Sequence, residues 1–143
     1  MVLEENKTII RKFIEAINNG SLDSLDDLIA QDFVYQTHQI RGLDVVKQVI
    51  QEEINGFPDL HITIEDIIAE GDKVWIRLKE TGTHTGKFRG LDPTSMKIAY
   101  TAVTIWRVVN GKVVEGWRVY DMLDYCRRLG VIDYKGFPEE VAT

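Results

Sequence analysis

Cysteine occurs once in this chain, at Cys126, so no internal disulfide can form and packing alone must hold the fold. That usage fits a reducing compartment, and the cytoplasm is the expected location. No run of apolar residues approaches the roughly 18 that a membrane-spanning helix needs, and no membrane association is expected. The opening residues MVLEENKTII carry acids where a signal peptide has a basic region, so no export segment is expected either. Long tracts of one charge are also lacking: 23 acids and 17 bases are spread along the chain, giving a net charge of -6. A surface of that sign lacks the basic stripe that supplies most nucleic-acid affinity, so no nucleic-acid partner is expected. The histidines His38, His61 and His84 are scattered, and no HxH, HExxH or cysteine-containing spacing marks a metal site. There is no G-x-S-x-G elbow and no phosphate or dinucleotide glycine signature, so neither metal nor cofactor is expected.

What is present reads as one globular domain over residues 1–143, with 44% hydrophobic and 28% charged residues. From Glu4 to Asn18 the residues Ile9, Ile10, Phe13, Ile14 and Ile17 recur at helical spacing, until Asn19-Gly20 stops the helix. Ser21 is placed to cap a second short helix carrying Leu22, Leu25, Leu28 and Ile29. A short strand is predicted over Phe33–Thr37, and a third helix after Gly42 carries Val45, Val46, Val49, Ile50 and Ile54 up to the break at NGFPD. The period then changes from helical to alternating. One hairpin turns at Glu70-Gly71-Asp72 and a second at Asn110-Gly111, between long strands rich in β-branched and aromatic residues. A short helix follows Asp121 and ends at Gly130, and the tail to Thr143 shows no clear period. Early helices and late antiparallel strands predict an α+β fold whose helices cover one face of a curved sheet, with a ligand pocket at the wide end.

The last strand offers the first chemical candidates. Alternation predicts Val113, Glu115, Trp117, Val119 and Asp121 on the inner face and Val114, Gly116, Arg118 and Tyr120 on the outer. An inward Glu115 and Asp121 beside Trp117 would have carboxylates suited to proton transfer near neutral pH. Asp121 equally fits the cap of the helix that follows. In the first hairpin Val74, Ile76, Leu78, Glu80, Gly82 and His84 share a parity, which places His84 near the pocket mouth as a proton carrier or as a hydrogen-bonded structural residue. Trp106, Trp117, Tyr35, Tyr100, Phe33 and Phe57 are candidates for an aromatic lining or for core packing, and Trp75 is expected to face solvent or a second subunit. Cys126 reads as a small core hydrophobe.

The segments FPD (57–59), EGDKV (70–74), GTHTGKFRGLDPT (82–94), NGKVVEGW (110–117) and D…LG (121–130) resemble the SnoaL-like polyketide cyclases, or ester cyclases, of the NTF2-like superfamily. The resemblance covers nearly the whole chain. It implies a cone-shaped α+β barrel of the cystatin-like type, enclosing a deep pocket and commonly dimeric through its sheet. It also implies a role for Asp121 as general acid/base in an intramolecular aldol condensation without metal or cofactor. In relatives a histidine often stands where this chain has Gly116, and the cyclases pair their aspartate with a histidine on the neighbouring strand; residues 97–109 here contain none.

The expected function is therefore cofactor-independent acid/base chemistry on a small hydrophobic, carbonyl-bearing molecule. Asp121 and His84 are the catalytic candidates; Glu115, Trp117, Trp106, Tyr35, Phe57 and Tyr100 are expected to bind substrate, in a homodimer formed through the sheet. The alternatives are a non-catalytic small-ligand module, or an isomerase or epoxide-hydrolase-like enzyme on the same fold. An Asp-Arg-Asp cluster for epoxide opening is not apparent, because alternation puts Arg118 opposite to Asp121.

Overall fold

The computed structural model describes residues 2–135; residues 136–143, the end of the tail without a sequence period, lie outside them. Helix α1 (Val2–Asn19) buries Ile10, Phe13, Ile14 and Ile17, the stripe its spacing predicts. It closes on Gly20 at φ +69°, where Ser21 N–H donates to the Ala16 carbonyl at 2.9 Å, an orphan acceptor at the helix end. The second helix expected here is instead a 3₁₀ turn, Leu22–Asp27, and the Ser21 side chain makes no capping bond. Asp26 and Asp27 sit against the negative end of any helix continued from Leu22, and Ile29 is already committed to the sheet.

Strand β1 (Ile29–Tyr35) thus begins earlier than predicted and stops before Thr37. A 3₁₀ turn, Gln36–His38, leads into β2 (Ile40–Arg41), and α2 (Leu43–Gly56) follows. The two predicted hairpins form β3 (His61–Glu70) with β4 (Lys73–Thr83), and β5 (Lys97–Val109) with β6 (Lys112–Tyr120). Asn110 and Gly111 both take positive φ, 51° and 77°, as the tight turn between β5 and β6 requires. The six strands lie in the order β2-β1-β6-β5-β4-β3, antiparallel except for the parallel β1–β6 pair.

Alternation gives the sheet two unlike faces. On β4 the buried Val74, Ile76, Leu78 and Glu80 alternate with exposed Lys73, Trp75, Arg77 and Lys79. The apolar members of the buried set join Ile10, Phe13 and Ile14 of α1 and Leu43, Val46 and Ile50 of α2 in one core. On the outer face the register aligns Ile68, Trp75, Ile105 and Trp117 in one row across four strands.

The inner-face assignment for β6 needs correction. Val113 is buried opposite Val108, as predicted, but Arg107 pairs with Glu115, so one extra residue, Val114, enters the strand. This β-bulge inverts the parity beyond it. Gly116, Arg118 and Tyr120 consequently stand opposite the inward Trp106, Thr104 and Ala102, whereas Glu115, Trp117, Val119 and Asp121 fall on the other side.

Helix α3 (Met122–Arg128) starts at Asp121, whose Oδ1 accepts the Asp124 N–H at 2.9 Å. It ends at Gly130, φ +78°, with Leu129 buried against Phe57, Phe88 and Ile98. Cys126, partly buried on this helix, is a free thiol. Replacing Asp121 with Ala removes the cap and is expected to cost about 1 kcal/mol, or about 3 °C in Tm, while Asn keeps most of it. Thermal denaturation of the two variants checks this; an Ala variant as stable as the wild type would show that the cap contributes nothing.

Candidate active site

The inner sheet face and the two long helices do not close on one another completely. They leave a cavity with about 1060 Å³ of empty space, part of it open to solvent. Phe13, Ile14 and Ile17 of α1, Val46, Val49 and Ile50 of α2, and Leu78 and Trp106 of the sheet form its apolar part. Its polar part gathers Tyr35, His38, Glu53, Glu80, Arg89, Tyr100, Arg118, Tyr120 and Tyr125.

Arg118 organises the polar part. Its Nη2 donates to Glu80 Oε2 at 2.5 Å and to the Tyr100 hydroxyl at 2.7 Å, and Tyr100 in turn donates a short hydrogen bond to Glu80. The guanidinium carbon lies 5.0 Å from the centre of the Tyr120 ring and 5.7 Å from that of Tyr100. The Glu80 side chain is 1% exposed, so a charge there depends on this partner. Burial disfavours the charged guanidinium, but Glu80, Tyr100, Tyr35 and Glu53 together outweigh it and hold the Arg118 pKa well above its usual value. Among the described residues only Nη2 of this side chain is engaged, so the other guanidinium donors remain unused in a residue that lines the cavity.

Glu53 reaches the same space from the last turn of α2. Burial, together with the negative charge of Glu80, pushes its pKa up to about 7, against the partial opposing effect of Arg118 and Arg89. Arg89 Nη2 lies 3.9 Å from its carboxylate. Burial also raises the phenols of Tyr35, Tyr100 and Tyr125, which therefore stay protonated as donors at neutral pH. His38, stacked on Tyr35 at 5.3 Å, is pushed down by burial and by Arg89 and Arg118. Two further polar atoms on cavity-lining residues, Thr104 Oγ1 and Trp106 Nε1, are buried without a partner among the described residues.

Of the residues nominated from sequence, Tyr35, Phe57, Tyr100 and Trp106 line this cavity. Asp121 does not: it is exposed and its carboxylate caps α3. Glu115 and Trp117 lie on the opposite side of β6, beyond the bulge. There Glu115 accepts from Gln36 Nε2 at 2.6 Å and Arg107 Nε at 3.1 Å, and these bonds hold its carboxyl below the usual range. His84 does share the buried parity of β4, but it packs beside the cavity without lining it, stacked on Phe57 at 5.2 Å. His84 Nδ1 lies 2.9 Å from Thr94 Oγ1 and 3.3 Å from the Thr94 N–H, and its Nε2 is buried and unpartnered among the described residues. Sequence reasoning misses Glu53, Glu80, Arg89, Arg118, Tyr120 and Tyr125. Glu80 carries a signal, since a carboxylate in the apolar parity of β4 demands a counter-charge; Arg118 is hidden by the bulge.

Helices over one face of a mixed six-stranded sheet, with a cavity between them, define an NTF2-like α+β fold. Within that class the chain belongs to the SnoaL-like polyketide cyclase family, whose model matches residues 7–129. Aklanonic acid methyl ester cyclase DauD of Streptomyces sp. (strain C5) is 23% identical over 129 residues, covering 85% of this chain and 80% of DauD. The solved structure of AclR from Streptomyces galilaeus, a hydroxylase candidate, superposes with a TM-score of 0.81 at 31% identity, over 98% of this chain and 88% of AclR. IdmH from Streptomyces antibioticus, a polyketide cyclase candidate, does so with a TM-score of 0.75 at 31% identity, over 87% and 98%. Among the described residues no helix is long and apolar enough to cross a membrane, and no group of three or more His, Cys, Asp or Glu could hold a metal ion.

The raised Glu53 pKa has a sign. The folded protein binds this proton more tightly than the unfolded chain, so the contribution is fully present below the ordinary carboxyl pKa of 4.5 and is lost as pH rises through about 7. Glu53→Gln should therefore flatten the fall in stability between those pH values, by about 1–3 kcal/mol over the interval. Denaturant melts of both proteins across that range measure it, and parallel curves would show that Glu53 titrates normally.

Proposed function

We propose that this chain binds a small hydrophobic, carbonyl-bearing molecule in the helix-sheet cavity and transfers protons there without a cofactor, in a reaction of the aldol-cyclisation type. The observation that carries this reading is Glu53, a half-buried carboxyl that lines the cavity 3.9 Å from Arg89 and shares it with the unused donors of Arg118, with burial and Glu80 raising its pKa. A carboxyl whose pKa is raised toward neutral pH can remove a proton from carbon next to a carbonyl. The negative oxygen of the resulting enolate then meets Arg118 and the protonated Tyr35 and Tyr125, which line the same cavity. In a cyclisation the enolate carbon bonds to a second carbonyl carbon of the same molecule. The new alkoxide takes up a proton, so no oxidant or reductant is consumed. The family to which the chain belongs, and the cyclase name of DauD, support this choice of reaction. Glu53 takes the acid/base role that the resemblance gave to Asp121, because Glu53 borders the cavity.

Aklanonic acid methyl ester, for which the curated relatives are named, is the first probe for turnover. Exchange of the methyl protons of 2-acetylnaphthalene in deuterated water, followed by NMR, reads proton abstraction alone. Glu53→Gln is expected to slow exchange by about 10²-fold and Asp121→Asn by less than about twofold. Exchange unchanged by Glu53→Gln would remove Glu53 from the mechanism. Loss of exchange in a folded Asp121→Asn protein would return the role to Asp121. Saturable binding of both probes with neither exchange nor turnover would make the protein a ligand-binding module.

We propose also that a second copy covers the outer sheet row. In that row Ile68 is 60% exposed and Trp75 44%, and Val119, on the same face in the neighbouring row, is 66% exposed. Native mass spectrometry should find a dimer that Trp75→Glu converts to monomer; a monomeric wild-type protein at tens of micromolar, roughly the range of weak homodimers, would overturn this.

A further inference from the structure

We infer that Gly116 sets the depth of the cavity by seating the Trp106 indole over its own Cα, and so decides how large an apolar ligand the cavity admits. The inference rests on the cavity being the ligand site. Gly116 and Trp106 are directly paired across β6 and β5, on the inward face. A Cβ at position 116 would stand 2.5 Å from Trp106 Cζ3, 2.6 Å from Cε3 and 3.2 Å from Phe33 Cζ. Contacts of carbon with carbon below about 3 Å are repulsive, since the optimum is about 3.5–4.0 Å. Gly116 is not at a positive φ, so its need for glycine is one of space and not of backbone torsion.

The ring has little room to yield sideways. Phe13 lies 4.9 Å from it between centroids, Tyr35 6.1 Å and Phe33 6.2 Å. Its open side is the cavity, which Trp106 lines. No hydrogen bond pins it either, because Trp106 Nε1 is buried without a partner among the described residues. An indole held by packing alone moves when the packing changes. A methyl group at 116 therefore pushes the ring toward the ligand space and makes the cavity shallower, while the base Glu53 and the oxygen-binding Arg118 are not among the atoms it would meet. Gly116 is a positioning residue that acts on ligand size through Trp106.

The test uses full-length protein with three methyl ketones of increasing size: acetophenone, 2-acetylnaphthalene and 2-acetylanthracene, titrated by calorimetry. Gly116→Ala is expected to change Kd for acetophenone by less than about twofold and to weaken 2-acetylanthracene by about tenfold or more. Adding Trp106→Leu, which removes the bulk of the indole, should bring 2-acetylanthracene back within about threefold of wild type. Because Gly116→Ala also strains the strand, melting is measured in both backgrounds. Gly116→Ala should lower Tm by about 3–10 °C with Trp106 present, and by about 1 °C or less when it is added to the Trp106→Leu variant. Equal weakening at all three sizes, or equal Tm losses in the two backgrounds, would overturn the inference while leaving the ligand site intact. Wild-type protein that binds none of the three ketones would overturn both.

Discussion

A guanidinium and a carboxylate taken out of water hold one another in place far more strictly than apolar neighbours do. Arg118 and Glu80 are such a pair, with the Tyr100 hydroxyl as the third member. The three residues come from β6, β4 and β5, so a single polar cluster ties three adjacent strands on the face where water is scarcest. Replacing such a cluster wholly by apolar groups is often harmless, but removing one member leaves an uncompensated buried charge at a cost of about 3–5 kcal/mol. The arrangement therefore constrains the sheet's register as well as the cavity's chemistry.

That constraint also explains the behaviour of Glu53. A second carboxylate near Glu80 has only part of the Arg118 field available to it, since Glu80 already claims the same cation. Arg89, the other cation within its reach, is far more exposed and too weakly placed to offset burial, so the pKa rises. Structure and reactivity share one source here: the group that is fully paired anchors the strands, and the group that is underpaired is free to exchange a proton.

Much of the architecture is legible in the sequence because it depends on short-range regularities. The stripe of α1, the turn at Asn110-Gly111 and the cap at Asp121 are local and appear where their residues place them, and α2 keeps Val46 and Ile50 of its predicted stripe buried while Val45 is exposed. The α+β class follows from the order of the elements, and the family from motifs spread over most of the chain. The site is less legible. Residue type and parity find Tyr35, Phe57, Tyr100 and Trp106, but they put Arg118 and Tyr120 on the wrong face, because alternation assumes an uninterrupted ladder and Val114 interrupts it. Glu53 and Arg89 cannot be linked to Glu80 at all, since they lie on a helix and a loop whose approach to the strand is a matter of tertiary packing.

The bulge at Val114 has a consequence for how readily this scaffold could change its chemistry. From Glu115 to Tyr120 the strand carries two interleaved sets of side chains: Arg118 and Tyr120 on one face, Glu115, Trp117 and Val119 on the other. One unpaired residue decides which set looks inward. The charge that β6 contributes to the cavity is thus a property of strand phase as much as of composition, and losing or gaining one residue ahead of it would turn Arg118 outward and Glu115 inward without a single substitution.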